Sequence, residues 1–404
     1  MRSIIKKILP KWLLNILKQV RYYWIVMTFH IFHLLPIKKR RIVVCNVWGF
    51  GDNAKYITEE LVRRKQIILE STSVNNNPFE IIFITNHPNS SDAPKMVKVL
   101  KTNSLRAILA LSTAKIWIDN NRKENYIRKR KGQYYIQTWH GGIALKKIEK
   151  DYQENLGIRY VKNAKRDSKM TDLYISNSNF CTNMYLNSFW YKGEIMECGS
   201  PRNDILLNKN TDLDLSVRTR LGVGYGFKIA IYAPTYREGN ELEAYQLDCD
   251  KLKSTLEHKF GGKWVIAVRL HPLVSGLSDF LNYNECVINA SYYRDIYELM
   301  AVSDLLITDY SNIMFEFSFM KKPVFLFATD VTSYEKERGF YFKYESLPYD
   351  IAKTQGELIR NINNYQEDNY LDRIKAFFAA LELYEKGNAS EQVVDRMIQV
   401  MNGF

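Results

Sequence analysis

The sequence predicts an α/β protein built as two doubly wound domains that face each other across a cleft. Three observations carry this. The 404 residues exceed what one ordinary core organises, at roughly 100–200 residues per domain. From residue 42 onward, short β-branched or apolar runs alternate with helical stretches, the pattern of parallel sheets. Between residues 205 and 227, a stretch holding Gly222, Gly224 and Gly226 breaks the periodicity, with similar numbers of strands on either side.

The first forty residues stand apart by charge. Residues 1–41 hold ten Lys or Arg and no Asp or Glu, so they supply ten of the thirteen excess positive charges. The remainder is nearly balanced, which argues against a nucleic-acid-coating surface. Ile4, Ile5, Ile8, Trp12, Leu13, Ile16 and Leu17 recur at helical spacing with Lys6, Lys7, Lys11 and Lys18 between them. This is the composition of a basic amphipathic helix lying in the plane of an anionic membrane surface. The apolar run 22–35 (YYWIVMTFHIFHLL) is shorter than the about 20 residues of a spanning helix. No small-residue cleavage site follows it, as a secretory signal would require.

The strand candidates follow in order. They are 42–47 (IVVCNV), 81–85 (IIFIT), 134–138 (YYIQT), 173–176 (LYIS) and 195–198 (IMEC), then 229–233 (IAIYA), 264–268 (WVIAV), 305–308 (LLIT) and 324–327 (VFLF). After the first come Gly49, Gly51 and a helix over about 53–65. The expected organisation is a membrane-associating segment over 1–41, a first Rossmann-like domain over 42–204, a linker over 205–227, a second Rossmann-like domain over 228–385 and a C-terminal helix over 386–404. Hydrophobic residues at 46% and charged residues at 25% exclude wholesale disorder. Five scattered cysteines without a CxxC pair support neither a disulfide framework nor a zinc site, and suit a reducing compartment.

Chemistry in doubly wound sheets belongs beyond the carboxyl ends of the strands. Five such places are unusually polar. In 137–142 (QTWHGG), His140 stands beside Gly141 and Gly142, able to act as a base or to bind phosphate next to bare N–H groups. Core packing and a tight turn would explain the same residues. In 199–204 (GSPRND), Arg202 can grip a phosphate bidentately. The third is 232–238 (YAPTYRE), and the fourth is 269–272 (RLHP), where Arg269 and His271 project to one side of an extended chain. In the fifth, Ser311 and Asn312 fall where a helix begins and Glu316 about one turn later. The basic run 122–131 (RKENYIRKRK) is either a solvated face or a track for a polyanion.

Together, QTWHGG, GSPRND, YAPTYRE, RLHP and the block 295–317 (DIYELMAVSDLLITDYSNIMFEF), in this order, resemble the CDP-glycerol glycerophosphotransferase family of teichoic acid primases and polymerases. The resemblance spans roughly residues 130–345. It implies a GT-B-like pair of Rossmann domains with the active site between them, 42–204 serving the acceptor and 228–385 binding the CDP-polyol. It also implies transfer of a polyol phosphate, foremost glycerol phosphate, from a CDP-polyol to a hydroxyl of a membrane-linked or polymeric acceptor, with release of CMP. His140 would be the base and His271 would contact the donor phosphates. Thr138, Trp139, Gly141, Gly142, Arg202, Pro234, Thr235, Arg269, Ser311, Asn312 and Glu316 would line the substrate site. Gly142 stands where the family more often has Thr, and Asn312 where it more often has Ser.

The expected partners are CDP-glycerol or CDP-ribitol, a lipid-linked or polyanionic acceptor and an anionic membrane surface, at the cytoplasmic face of the membrane. No cofactor and no metal are expected, since no carboxylate cluster has metal-site spacing and Asp309 suits a helix cap. Two other functions fit the same residues. A GT-B glycosyltransferase would take a nucleotide sugar instead, in capsule or lipid-linked glycan synthesis. A non-catalytic nucleotide- or polyanion-binding protein would tolerate loss of either histidine. Glycerol against ribitol, primase against polymerase and the oligomeric state stay open at this level.

Overall fold

A computed structural model of the chain describes residues 10–71, 78–90, 92–237, 247–270, 283–332, 334 and 339–403. Two parallel sheets form two lobes. The first has strands β1 (Lys38–Cys45), β2 (Glu80–Thr85), β3 (Lys98–Lys101), β4 (Ala114–Asp119), β5 (Tyr134–Gln137), β6 (Leu173–Ser176) and β7 (Glu194–Glu197). Their order is 3-2-1-4-5-6-7, so the sheet reverses direction between β1 and β4. The second has β8 (Phe227–Ala233), β9 (Lys263–Val268), β10 (Val287–Asn289), β11 (Leu305–Thr308), β12 (Val324–Phe327) and β13 (Asp350–Ala352) in the order 10-9-8-11-12-13. It reverses between β8 and β11. Each reversal opens a crevice beyond the strand ends, and the polar loops lie there.

The strands read as unbroken apolar runs because both faces of each sheet are covered. In β1, Ile42 and Val44 pack on one side with Ala54, Ile57 and Leu61 of helix α2 (Asp52–Ser71), which follows β1. Val43 and Cys45 pack on the other with Trp117 and with Ile25 and Phe29 of helix α1 (Lys11–Phe32). The side-chain alternation of a strand thus splits one apolar run between two cores.

Within the described residues, the amphipathic segment from Lys11 and the apolar run as far as Phe32 form one helix, α1, of 22 residues. Ile4, Ile5 and Ile8 lie outside the described residues. One flank of α1 is buried through Ile25 and Phe29, while Trp12, Ile16, Leu17, Val20, Tyr23, Trp24, Met27 and Ile31 are exposed. The expected boundary at 41/42 falls inside β1, since Lys38 already opens the strand. The expected linker is not extended chain. It holds helices Asp204–Leu207 and Thr211–Leu221; the Asn210 side chain caps the second, which ends at Gly222 with φ +70°. Cap residues and loop residues are the same residue types, which is why this stretch reads as a break. After β13 the chain crosses back, and helix Ala389–Asn402 packs Val393, Val394 and Met397 into the first lobe.

Candidate active site

The loop after β5 turns His140 into the cleft. Trp139 holds φ at +53°, a left-handed conformation that a bulky residue keeps only when its surroundings fix it. They do. Its N–H donates to Gln137 Oε1 at 2.9 Å, its carbonyl accepts from Asn53 Nδ2 at 3.1 Å, and its ring lies edge-on to Phe189 at 4.8 Å. The His140 ring tilts over Trp139 at 4.3 Å and opens to solvent through the cleft. Its Nδ1 lies 2.9 Å from the Asn120 carbonyl. A carbonyl only accepts, so Nδ1 carries the proton and Nε2 presents a lone pair. Although the ring opens to the cleft, the protein packed around it strips hydration and pulls the His140 pKa below the usual imidazole value, and the Arg202 charge acts the same way; the Asn120 carbonyl and the Asp52 carboxylate oppose them. The ring is therefore neutral near pH 7, the state a base needs.

Arg202, on the loop after β7, is buried between the lobes. Its guanidinium donates to Asp52 Oδ1 at 2.8 Å and to Glu316 Oε1, and lies over the Tyr297 ring at 5.0 Å. The Tyr297 hydroxyl donates to Glu316 Oε2 at 2.7 Å. Both Glu316 oxygens and both terminal nitrogens of Arg202 are thus engaged. Arg202, expected to grip a phosphate, and Glu316, expected to line the substrate site, form one tie between lobes, in which each group neutralises the other where water is scarce. Asn53 sets two loops at once: its Nδ2 holds the Trp139 carbonyl, and its Oδ1 accepts from the Arg202 N–H at 3.1 Å. Further ties join Lys55 to Asp295 at 2.8 Å and to Glu298, and the Leu145 N–H to Asn312 Oδ1 at 3.0 Å.

Two cavities meet at this point. One, of about 490 Å³, faces the first lobe and the loop after β1; the other, of about 460 Å³, faces the second. His140, Arg202 and Tyr297 line both. The second cavity gathers Trp139, Gly141, Gly142, Thr235, Ser311, Asn312 and Glu316. It continues through Thr235 and Ser311 into a space of about 380 Å³ walled by Pro234, Arg269 and Lys146. Trp139 shows little to the cavity, being 7% exposed, and Thr138 is buried scaffold whose hydroxyl donates to the Trp139 carbonyl at 3.1 Å. Gly142 has no room for a side chain: a Cβ there would lie 2.3 Å from Asn177 Nδ2. His271 lies outside the described residues.

Residues outside the expected substrate site also shape it. Asp309, expected as a helix cap, is buried and accepts from the Thr235 N–H at 2.9 Å and from Arg237 at 2.8 Å; Arg237 also reaches Asp330 at 2.7 Å. This network fixes the loop after β8. The basic run begins inside the protein: Arg122 pairs with Glu149 at 2.9 Å and Lys123 with Asp119 at 2.7 Å. Lys129 pairs with Asp172. These charges support the first lobe from within and offer no continuous track for a polyanion. Among the described residues, no group of three or more His, Cys, Asp or Glu side chains is arranged to hold a metal ion. No described helix is long and apolar enough to cross a membrane.

Residues 27–399 match the family model of CDP-glycerol:poly(glycerophosphate) glycerophosphotransferases. The chain is 32% identical over 403 residues to the teichoic acid poly(glycerol phosphate) polymerase of Bacillus spizizenii, covering 94% of this chain and 96% of that protein. It is also 32% identical over 379 residues to the Staphylococcus epidermidis protein of the same name, covering 89% of this chain. There it spans only about half, 50%, of the relative's length. Solved structures of the wall teichoic acid polymerase TagF share its fold. One variant gives a TM-score of 0.80 at 28% identity, covering 96% of this chain and 97% of that one. Another, soaked with CDPG, gives 0.81 at 28% identity, with 96% and 98% covered.

Proposed function

The chain belongs to the CDP-glycerol:poly(glycerophosphate) glycerophosphotransferase family, and on that premise we propose that it transfers glycerol phosphate from CDP-glycerol to a hydroxyl of a membrane-linked or polymeric acceptor in teichoic acid synthesis. One observation carries this: an imidazole whose Nδ1 is held by the Asn120 carbonyl, leaving Nε2 to accept, stands where two cavities meet. The acceptor oxygen attacks the β-phosphorus of the donor, a new P–O bond forms, and the bond to CMP breaks. His140 Nε2 takes the hydroxyl proton. Lys146 and Arg269 bring positive charge to the donor side, where the diphosphate develops its leaving charge. The family resemblance assigns His271 to the same phosphates. With side chains in these roles, the reaction needs no resident metal, and turnover should survive a chelator.

Purified protein incubated with CDP-glycerol or CDP-ribitol and a lipid-linked acceptor should release CMP. His140→Ala should lower that release by roughly 10²–10⁴-fold. Unchanged release in the variant, or turnover of nucleotide sugars alone, would refute the assignment.

Attachment is peripheral, at the cytoplasmic face of the membrane. Support comes from α1, whose exposed Trp12, Ile16 and Leu17 lie among lysines. Flotation with anionic vesicles should recover the protein, and Trp12→Ala with Leu17→Glu should release it. Equal recovery of the variant would overturn the attachment.

A further inference from the structure

We infer that the cavity on the first lobe receives the acceptor, and that it is graded in charge to read a polyol end carrying a phosphodiester one unit back. The inference rests on the transfer reaction proposed above. In-line displacement sets nucleophile and leaving group on opposite sides of phosphorus. With the nucleotide on the Lys146 and Arg269 side of His140, the acceptor must arrive from the other side, through the cavity of about 490 Å³.

That cavity changes character from its inner wall to its rim. Asn120 and Asp295 line the inner wall at 2% and 6% exposed, beside Asp52. Arg202 on that wall is already matched by Asp52 and Glu316, and Asp295 is paired with Lys55. A phosphate entering would meet carboxylates with no surplus positive charge, whereas polyol hydroxyls could donate to them. At the rim stand Trp48, 78% exposed, with His87 and Arg294. Arg294 pairs with Asp92 at 2.8 Å, but the two side chains are 56% and 70% exposed, so the pair holds weakly and can yield to a phosphodiester. Trp48 offers a flat apolar face to the carbons between hydroxyl and phosphate. Hydroxyls inward and phosphate outward is the polarity of a chain ending in glycerol phosphate. An acceptor ending in a bare sugar would bring Arg294 no phosphodiester to exchange for Asp92.

The test compares two lipid-linked acceptors, one ending in a single glycerol phosphate and one lacking it. Wild-type protein should show the lower KM for the first. Arg294→Ser should raise that KM about tenfold, the scale of one charge-assisted hydrogen bond, and erase the preference. Trp48→Ala should act in the same direction. Calorimetric affinity for CDP-glycerol should stay within about twofold in both variants, which separates acceptor recognition from general damage. An unaltered preference in Arg294→Ser overturns the inference, as does a loss of CDP-glycerol affinity as large as the KM change. If wild-type protein released no CMP with either acceptor, the transfer reaction itself would fail and take this inference with it.

Discussion

Replacing Arg202 by methionine tests how the two lobes are held. The arginine side chain is 3% exposed and sits between Asp52, 20% exposed, and Glu316, 3% exposed. With charge centres about 4 Å apart and an effective dielectric near 20, each pair contributes about 4 kcal/mol of attraction. Desolvation of three charged groups offsets most of that sum. Methionine keeps much of the side-chain volume but leaves two carboxylates facing each other without a cation. Breaking a buried pair in this way costs about 3–5 kcal/mol. Beside Arg202, Asp52 titrates below its usual range despite a burial that pushes the other way. Its pairing therefore stabilises the fold above the unfolded carboxylate pKa and is lost as pH falls. The gap between wild type and variant should be widest near neutral pH and narrow on acidification. Urea denaturation followed by tryptophan fluorescence measures it, with Glu316→Gln and the double variant completing a cycle. The double variant should be less damaged than the sum by at least about 1 kcal/mol. A loss below about 1 kcal/mol, or strict additivity, would show that Arg202 does not tie the lobes.

Other outcomes follow from the same geometry. Because the His140 pKa is lowered, chiefly by burial, kcat/KM should stay flat through neutrality and fall only below the ordinary imidazole range; Asp52→Asn should move that fall to lower pH. An acid limb above the ordinary value would contradict the assigned base. Gly142→Ala should cost about 1–3 kcal/mol by overpacking against Asn177, and Asn177→Ala in the same chain should recover most of it; a melt showing no recovery would place the clash elsewhere. Glu385 accepts from Asn203 Nδ2 at 2.6 Å and from the Ser200 N–H at 3.3 Å, and burial pushes its pKa up to about 8. A carboxyl raised in the folded state costs stability progressively from the unfolded value upward to about pH 8, so Glu385→Gln should gain most in alkaline buffer. Identical denaturation profiles for both proteins at pH 6 and 9 would exclude that role.

Strand positions were legible where apolar runs meet turn residues. Runs 173–176, 305–308 and 324–327 coincide with β6, β11 and β12. β4 was hidden because helix Leu105–Thr113 runs into it without a break, Ala114 serving as both helix cap and first strand residue. With β4 went Asn120, the residue that fixes the His140 tautomer. β3, β10 and β13 are edge strands of four, three and three residues, too short to show a period. Within the site, His140, Gly142, Thr235, Ser311 and Asn312 stand out because they follow strands. The residues that hold the site together do not. Asp295 looks like a helix cap and is one, its Oδ1 accepting from the Tyr297 N–H at 2.9 Å, while Oδ2 takes Lys55 from the other lobe. Arg202 and Glu316 are 114 residues apart, and no local pattern links them. The basic run reads as a solvated face or a polyanion track because Glu149, Asp167 and Asp172, which pair with it, lie outside the run.

Because Val393, Val394, Met397 and Val400 finish the core under Ile42 and Val44, the order of synthesis and the order of completion are opposed. The ribosome emits the first sheet by residue 197, yet the helix that roofs it begins at Ala389. At about 5–20 residues per second, that sheet waits roughly 10–40 s with one apolar face covered only in part, by α2. The second lobe can close in the meantime. The part that is made first is sealed last, so nascent chains stalled before their final turn would present a sticky, half-roofed sheet to chaperones and to one another.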